Sequence, residues 1–350
     1  MELKEVNIYM QSEIKRRLKE NSVIENNNTI CQFPKNMLIE ITNSCNDSCL
    51  FCANSKCTKK RGMIKKDLAI KILKEAYELG TREVGFYGTG EPLLDNHLET
   101  YISYAKQLGY EYVYITTNGA LLSEERAISI IEAGIDSVKF SINASNARDY
   151  YLIHGRDEFD RVIENLIRFD MLRKQKNKKI SLYISYIATR YTNQAKDEFK
   201  TKYEKYVDDI VLLECRNISG CMSDEIKEYL SVDQKLGIHP ENNICPIIFK
   251  NLYVTYEGYL TMCCADFQNY LVVADLNKEN LKEAWNNEYA RNLRKRHLEH
   301  NLEGTLCFNC IYDCNKAVEP LIPTLAEKYD HESWIKKDEI ESRIKEWELT

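Results

Sequence analysis

Short apolar runs alternate with longer amphipathic segments over the first two thirds of the chain. Six runs are rich in β-branched and aromatic residues and predict strands over Leu38–Thr42, Glu83–Tyr87, Tyr112–Thr117, Ser137–Ile142, Ile180–Ala188 and Asp209–Glu214. Between them, apolar residues recur every three or four positions and predict helices over Lys66–Gly80, Asn96–Gly109, Ser123–Gly134, Asp157–Lys174 and Gln194–Val207. This alternation is typical of an α/β fold with a parallel sheet, which binds ligands at the carboxyl ends of its strands. The pattern does not distinguish a partial barrel from an open sheet.

The alternation ends after about residue 216. Residues 217–244 are polar and irregular, which predicts a linker. The pattern then predicts a hairpin around the turn Tyr256-Glu-Gly258, a helix over Leu281–Leu298, a tight cysteine loop from Cys307 to Cys314 and a final helix over Glu339–Glu346. Residues 1–35 contain a Lys/Arg-rich helical stretch and a polar run, and they predict an arm rather than a packed domain.

Cysteine is the one unusual feature of the composition. The 350 residues include 13 cysteines, and the charged N-terminus lacks the apolar core of a secretory signal. An odd number of cysteines in such a chain argues against a disulfide framework and for metal binding in a reducing, cytoplasmic compartment. The net charge of −6 argues against a nucleic-acid partner. No apolar run approaches the roughly 20 residues that span a bilayer, so no membrane partner is expected.

Three of the cysteines stand directly after the first predicted strand. Cys45, Cys49 and Cys52 have the spacing C-x3-C-x2-C. Three thiolates on one short loop can hold three irons of a [4Fe–4S] cluster and leave the fourth iron open for another ligand. A zinc site is the alternative, and it would need a fourth ligand such as Cys31 or Cys57. Spacing and ligand number favour the iron–sulfur interpretation.

A second motif follows the second predicted strand. Gly88-Thr89-Gly90-Glu91-Pro92 is a glycine-rich turn with an acidic residue at the carboxyl end of a strand. This turn and the C-x3-C-x-φ-C spacing, in which Phe51 is the aromatic φ, together resemble the radical S-adenosylmethionine (SAM) superfamily. In that family a Gly-Gly-Glu-Pro turn stands at this place, and here Thr89 replaces its first glycine.

The resemblance implies a reaction and its cofactors. Cys45, Cys49 and Cys52 would ligate a [4Fe–4S] cluster whose open iron binds SAM. One electron, from a flavodoxin- or ferredoxin-type donor, would cleave SAM to methionine and a 5′-deoxyadenosyl radical, which would take a hydrogen atom from the substrate. The protein would supply binding, orientation and exclusion of water.

The resemblance also assigns the contacts to SAM. The adenine would meet the backbone of an aromatic residue, the methionyl amine would be held by the glycine-rich turn, and the ribose and carboxylate would lie near strand-end residues and an arginine. These contacts would come from Phe51; Thr89, Gly90 and Glu91; Asn118 and Ser141; and Arg156 or Arg161. A turn pair, a small strand-end residue and a solvated helix charge are the alternative interpretations of the asparagine, the serine and the arginines.

The C-terminal cysteines form a second set. The order Cys245…Gly258…Cys263 resembles the SPASM-type auxiliary cluster pattern C-x(9–15)-G-x4-C, and Cys307 and Cys310 supply a later C-x2-C. No cysteine follows Cys314, so the resemblance implies one auxiliary [4Fe–4S] cluster on Cys245, Cys263, Cys307 and Cys310, as in the shorter Twitch variant. A structural zinc ribbon is the alternative.

These resemblances predict the domains and the fold class. The fold would be α/β, a partial (β/α)6 barrel of parallel strands with a small C-terminal α+β iron–sulfur domain. The predicted divisions are an N-terminal arm (1–35), the radical SAM core (36–216), the linker (217–244), the SPASM/Twitch-like domain (245–320) and a helical tail (321–350).

Two further cysteines are candidates for a direct part in the reaction. Some relatives use a cysteine that is not an iron ligand to return a hydrogen atom to a substrate radical, which gives epimerisation. Cys215 follows the last predicted strand and Cys264 adjoins a predicted ligand, so either could take this role. Strand alternation would point Cys264 away from Cys263. A small, buried hydrophobic role is the alternative for both candidates.

Relatives with auxiliary clusters modify peptides or proteins, or oxidise or epimerise sugars and aminocyclitols. The 35 residues before the first strand are too short for the leader-binding domain of many peptide modifiers, which favours oxidation or epimerisation of a small polar metabolite of sugar or aminocyclitol type. The first alternative is a peptide- or protein-modifying maturase of the ribosomal-peptide or sulfatase-maturation type. The second is a non-catalytic iron–sulfur electron-transfer protein, and the Gly88–Pro92 turn argues against it because an electron carrier needs no SAM-binding element.

Overall fold

The computed structural model describes residues 28–56, 59–215, 218–220, 244–312, 314–326 and 337–349. Within these ranges, nine strands form a single sheet in the order β6-β5-β4-β3-β2-β1-β7-β8-β9. The strands are β1 (Asn36–Ile39), β2 (Glu83–Phe86), β3 (Tyr112–Thr117), β4 (Ser137–Ser141), β5 (Ser181–Ala188), β6 (Asp209–Glu214), β7 (Asn251–Val254), β8 (Tyr259–Thr261) and β9 (Val272–Asp275).

Helices connect these strands and cover the sheet. Before β7 they are α1 (Lys66–Glu78), α2 (Leu98–Leu108), α3 (Glu124–Ala133), α4 (Ala147–His154), α5 (Phe159–Gln175) and α6 (Lys196–Tyr203). The later ones are α7 (Ile247–Lys250), α8 (Leu281–Trp285), α9 (Glu288–Leu298), α10 (Leu306–Tyr312) and α11 (Lys337–Leu349). No helix in the described ranges combines the length and the apolar character that crossing a bilayer requires.

The first six strands are all parallel and form a partial (β/α)6 barrel. They are parallel because each pair is joined by a crossover that contains a helix, and the buried apolar side chains of those helices pack on the sheet. The carboxyl ends of the six strands therefore lie at one edge of the sheet, where ligands of such folds bind.

The C-terminal hairpin continues this sheet rather than standing apart from it. β7 pairs in parallel with β1, in register from Asn36 opposite Asn251 to Ile39 opposite Val254. The side-chain amide of Asn36 donates to Asn251 Oδ1 at 3.0 Å. β8 and β9 then add in antiparallel fashion. This pairing places the β7–β8 turn beside the carboxyl ends of β1 and β2.

The observed elements correct three expectations. The tight cysteine loop after Cys307 is a helix up to Tyr312, α10. The expected helix Leu281–Leu298 is two helices, because Asn287 caps a new helix by accepting from Ala290 N at 3.0 Å. α4 was not expected at all. The N-terminal helical stretch, most of the linker, Cys57 and Cys221 lie outside the described residues.

Candidate functional site

A loop with three cysteines follows β1 at the edge where ligands are expected. The thiols of Cys45, Cys49 and Cys52 lie close enough that each disfavours ionisation of another. Burial raises the pKa of Cys49, as it does that of Cys45, and the carboxylates of Asp47 and Glu91 add to the effect at Cys45. Converging thiols whose charge is so disfavoured need a cation as partner, and this donor set fits three irons of a [4Fe–4S] cluster.

The end of α4 shapes this loop. The backbone N–H groups of Ser48 and Leu50 donate to the carbonyls of His154 and Ile153 at 3.0 and 2.9 Å. The last carbonyls of a helix have no partner within the helix, so they are available to bind such a segment. At the start of the loop, Asn43 is buried, and its Oδ1 accepts from Gly62 N at 2.9 Å. Both ends of the loop are thus held by the protein without any metal.

The glycine-rich turn after β2 packs directly against the cysteine loop. A Cβ on Gly90 would lie 2.4 Å from the carbonyl oxygens of Thr42 and Ser44, so no larger residue fits. The N–H of Glu91 donates to the same Ser44 carbonyl at 2.8 Å. The backbone of the turn therefore lies within hydrogen-bonding distance of the cysteine loop.

The carboxylate of Glu91 points towards β3 rather than away from the protein. It accepts from the hydroxyl of Thr117 at 2.6 Å and from the N–H groups of Asn118 and Leu93 at 2.8 and 3.0 Å. Burial raises its pKa to about 7 despite these three donors. Glu91 thus connects the ends of β2 and β3.

A residue that was not expected, Glu40, positions Thr89. Glu40 ends the first strand run, and its Oε2 accepts from the N–H of Thr89 at 3.1 Å and from its hydroxyl at 2.5 Å. Burial leaves only 1% of the Lys59 side chain exposed, and its Nζ lies 3.9 Å from Glu40 Oε1 and 3.2 Å from Glu257 Oε1. Lys59 also donates to Asn269 Oδ1 at 3.1 Å. This network connects the glycine-rich turn to the C-terminal hairpin.

The other residues expected at SAM lie around the same loop. Asn118 donates from Nδ2 to Asn46 Oδ1 at 2.9 Å, and Arg156 donates from Nε to the Asn46 carbonyl at 2.7 Å. Ser141 ends β4, opposite Ser185. Phe51 is half-buried in a small apolar cluster on the loop. Arg161, the second arginine considered, instead pairs with Glu158 at 3.2 Å and is 55% exposed.

The C-terminal cysteines converge in a second site. Cys245 precedes α7, Cys263 and Cys264 follow β8, and Cys307 and Cys310 lie three residues apart on α10. Their thiols raise one another's pKa, and burial takes the pKa of Cys245 to about 12. The four expected ligands are thus brought together, with Cys264 as a fifth thiol beside them.

Cys264 does not point away from Cys263, as strand alternation predicted. The strand ends at Thr261, so both cysteines lie in the turn that follows it. The thiol of Cys263 donates to the sulfur of Cys264, which lowers the pKa of Cys264 and raises that of Cys263. Alternation applies only while the chain remains extended.

The remaining described cysteines lie elsewhere. Cys31 donates to the carbonyl of Asn28 at 3.6 Å, near Arg294, and does not join the three-cysteine loop. Cys314 donates to Asn309 Oδ1 at 3.2 Å. Cys215 is buried in the apolar cluster that includes Leu50.

A cavity of about 320 Å³ lies between the two cysteine sites. Thr89 lines it on the side of the glycine-rich turn, and Cys263 and Cys264 line it on the other. Its charged side chains are the carboxylates of Glu40 and Asp266, and no Lys or Arg of the described residues lines it. A ligand here would contact both the SAM side and the second cysteine site.

We expect Lys59→Met to destabilise the protein by about 3–5 kcal/mol, because the buried carboxylates of Glu40 and Glu257 would lose their cation. Denaturant unfolding of the iron-loaded protein under anaerobic conditions measures this change. The matched control is Lys74→Met, since Lys74 pairs with Glu78 at 3.9 Å while both side chains are 61% exposed. The control should cost less than about 1 kcal/mol. A Lys59→Met protein as stable as the control would contradict the prediction.

Family models match two parts of the chain. The model of the radical SAM superfamily matches residues 39–184, and that of an iron–sulfur cluster-binding domain, SPASM, matches residues 245–311. The first range contains the three-cysteine loop and the glycine-rich turn, and the second contains the four C-terminal cysteines expected as ligands.

Curated relatives match the first part only. The chain is 35% identical over 132 residues to a protein of Saccharolobus solfataricus named "Probable GTP 3',8-cyclase", covering 38% of this chain and 42% of that protein. A protein of the same name from Methanothermobacter thermautotrophicus is 32% identical over 124 residues, covering 35% and 40%. The chain therefore spans about two fifths of the length of these relatives.

Solved structures share the fold over most of the chain. BtrN in complex with AdoMet and 2-DOIA superposes with a TM-score of 0.54 at 19% identity, covering 87% of this chain and 100% of BtrN. Streptococcus suis SuiB bound to precursor peptide SuiA gives 0.59 at 15%, covering 80% and 69%. The sulfatase-type structure titled anSMEcpe with bound AdoMet gives 0.58 at 15%, covering 90% and 93%. At these identities the likeness establishes the fold alone.

Proposed function

We propose that this chain, a radical SAM enzyme with a C-terminal SPASM domain, removes a hydrogen atom from a small polar metabolite bound between its two cysteine sites. A [4Fe–4S] cluster with SAM supplies the reductive cleavage that yields methionine and a 5′-deoxyadenosyl radical. A flavodoxin- or ferredoxin-type protein would deliver the electron. Such clusters require a reducing compartment, so a cytoplasmic location goes with the proposal.

The residues around the three-cysteine loop would bind and orient SAM. Cys45, Cys49 and Cys52 would ligate the cluster, and the tight packing of Gly90 on the loop supports a SAM-facing backbone there. Thr89 and Glu91 are each held in one orientation by buried hydrogen bonds, which pre-organises the turn for the methionyl amine.

Further SAM contacts would come from the rest of the loop's surroundings. Asn118 and Arg156 both hold Asn46 on the loop, and Ser141 ends a neighbouring strand, so they are our candidates for the ribose and carboxylate. The backbone of Phe51 would meet the adenine.

The cavity carries the proposal for the substrate. It lies between the glycine-rich turn and the second cysteine site, so a ligand there could meet both the radical and an electron acceptor. Its volume is at the lower end of small-molecule pockets. The Glu40 and Asp266 carboxylates, without a lining Lys or Arg in the described residues, favour a neutral or ammonium-bearing ligand and disfavour a triphosphate. An amino sugar or aminocyclitol has this chemistry.

The second site would hold one auxiliary [4Fe–4S] cluster. Its ligands would be Cys245, Cys263, Cys307 and Cys310, whose thiols converge beside the cavity. In an oxidation, this cluster would accept the electron that remains on the substrate after hydrogen-atom removal. In an epimerisation, the substrate radical would instead receive a hydrogen atom.

The test compares substrate classes with the reduced, iron-loaded protein and SAM. An aminocyclitol or amino sugar, GTP and a peptide mixture are supplied separately, and 5′-deoxyadenosine and substrate-derived products are measured by mass spectrometry. We expect the amine-bearing polyols alone to stimulate 5′-deoxyadenosine formation. Stimulation by GTP or only by peptides would overturn the substrate proposal. No 5′-deoxyadenosine in any mixture, with iron intact, would favour an electron-transfer protein.

Of the two candidate hydrogen donors, Cys264 lines the cavity, whereas Cys215 is buried in the apolar cluster near Leu50. If wild-type product takes up deuterium from D2O, we expect Cys264→Ala to reduce that uptake at least about tenfold, because the S–H that returns a hydrogen atom would be gone. Cys215→Ala is the matched control and should retain it. The same labelling in both variants would exclude Cys264 as the donor, and no wild-type uptake would indicate an oxidation.

A further inference from the structure

The geometry points to Asp47 and His154 as a positioning pair that keeps a hydrogen bond on the Cys49 sulfur and so sets the reduction potential of the SAM-binding cluster. The inference rests on the proposed role of Cys49 as an iron ligand. Neither residue belongs to the motifs from which the family was identified. Both lie at the contact between the cysteine loop and the end of α4.

The ring of His154 lies between three acceptor atoms. Its Nδ1 is 2.9 Å from Asp47 Oδ2 and 3.3 Å from Cys49 Sγ, and its Nε2 is 2.9 Å from the carbonyl oxygen of Ile142. The side chains of His154 and Asp47 are each only 1% exposed. Water is therefore excluded from this arrangement.

These partners determine what the ring can do. A carbonyl oxygen only accepts, so Nε2 donates to Ile142. A carboxylate also only accepts, and a cysteine that ligates iron is a thiolate and accepts as well. Nδ1 therefore carries a hydrogen that it shares between Asp47 and Cys49.

The ring has little freedom to turn away. Tyr150, one turn earlier on α4, stacks on it with centroids 4.2 Å apart and planes 13° from parallel. The backbone of His154 is also fixed, because its carbonyl accepts from the Ser48 N–H in the cysteine loop at 3.0 Å. Ring and loop are thus held as one unit, and the donor stays at the sulfur.

Cys49 differs in this respect from the other two cysteines of the loop. The sulfurs of Cys45 and Cys52 each accept a 3.5 Å hydrogen bond from a backbone N–H two residues further along. Cys49 faces a buried side-chain donor. A donor at a ligating sulfur stabilises the more negative, reduced cluster, so the bond from His154 would raise the potential.

Arg343 adds positive charge on the same side. It lies on α11 with 4% exposed, donates from Nη2 to the Ser48 carbonyl at 3.1 Å, and favours the ionised form of Cys49. Its Nε and Nη1 have no hydrogen-bond partner in the described part of the chain. The surroundings of Cys49 thus combine one anion, Asp47, with two side-chain donors.

Two substitutions of His154 separate the donor from the bulk of the ring. The amide nitrogen of Asn takes the place of Nδ1, and that of Gln takes the place of Nε2. The reduced fraction of the cluster is measured by EPR in the iron-loaded protein under anaerobic conditions at fixed applied potentials. The signal that changes on addition of SAM identifies this cluster, and no substrate turnover is needed.

We expect His154→Gln to lower the ratio of reduced to oxidised cluster about tenfold at a given potential, a shift of about 59 mV for a one-electron couple. His154→Asn should restore the ratio to within about threefold of wild type, because the donor at Cys49 is kept. The matched control is His97→Gln, whose ring pairs with Asp95 at 3.5 Å and is 49% exposed. Equal ratios in the Gln and Asn variants, or a wild-type ratio in the Gln variant, would overturn the inference.

A second variant covers the case in which His154→Gln does not retain iron. Asp47→Asn keeps the size of the side chain and removes its negative charge beside the cluster, so the reduced fraction should rise. An unchanged fraction would overturn the inference by itself. Retention of all iron in Cys49→Ala would instead refute the ligand assignment, which distinguishes failure of the proposed function from failure of this inference.

Discussion

Alanine at Cys45, Cys49 or Cys52 should reduce 5′-deoxyadenosine formation by about a thousandfold or more and halve the iron content. Each cysteine supplies one of three thiolates on a single loop, so two remaining ligands would not hold the cluster to which SAM binds. With two [4Fe–4S] clusters, iron should fall from about eight to about four atoms per chain. Iron analysis and mass spectrometry of the reduced protein with SAM measure the two changes.

The control for this prediction is Cys31→Ala. Cys31 donates to the Asn28 carbonyl and lies near Arg294, away from both cysteine sites. We expect its replacement to leave both iron and 5′-deoxyadenosine unchanged. Full activity in Cys49→Ala, or equal loss in Cys31→Ala, would contradict the assignment. About four irons and one zinc in the wild-type protein would identify the second site as a zinc ribbon.

Gly90→Ala should weaken SAM binding at least about tenfold and lower 5′-deoxyadenosine formation accordingly. The added Cβ would lie 2.4 Å from two backbone carbonyl oxygens, those of Thr42 and Ser44, and neither can rotate away as a side chain could. Relief of the clash must move the turn away from the cysteine loop and break the 2.8 Å bond from Glu91 N to Ser44 O. Overpacking of this kind costs about 1–3 kcal/mol, and one tenfold change in affinity corresponds to about 1.4 kcal/mol.

Gly80→Ala is the matched glycine substitution. Gly80 follows α1 with φ of 113°, and a Cβ there would meet no atom within 4 Å, so only backbone strain is introduced. It should cost about 1 kcal/mol of stability without a change in SAM affinity. Equilibrium SAM binding and denaturant unfolding of both variants give the comparison. If Gly90→Ala bound SAM as Gly80→Ala does, the close approach of turn and loop would not matter for the cofactor.

The strands were largely predictable because each is a short, buried run with turn residues on both sides. β3 and β6 have the bounds that the pattern predicted, and the others differ by at most a few residues. α4 was not predicted because it has only eight residues, and its polar positions weaken the apolar periodicity. Its absence from the prediction also hid His154, which shows how a missed element removes a candidate residue.

The sequence by itself determined the three-cysteine loop, the glycine-rich turn and the order of strands and helices, because spacing and periodicity are properties of nearby residues. Only the tertiary structure decided which distant groups meet. Asp47 and His154 are 107 residues apart, and Lys59 and Asn269 are 210 apart. The pairing of β7 with β1 likewise joins residues about two hundred positions apart. No local pattern encodes such contacts, because they form only when the packing of the whole sheet brings the carboxyl ends of its strands together.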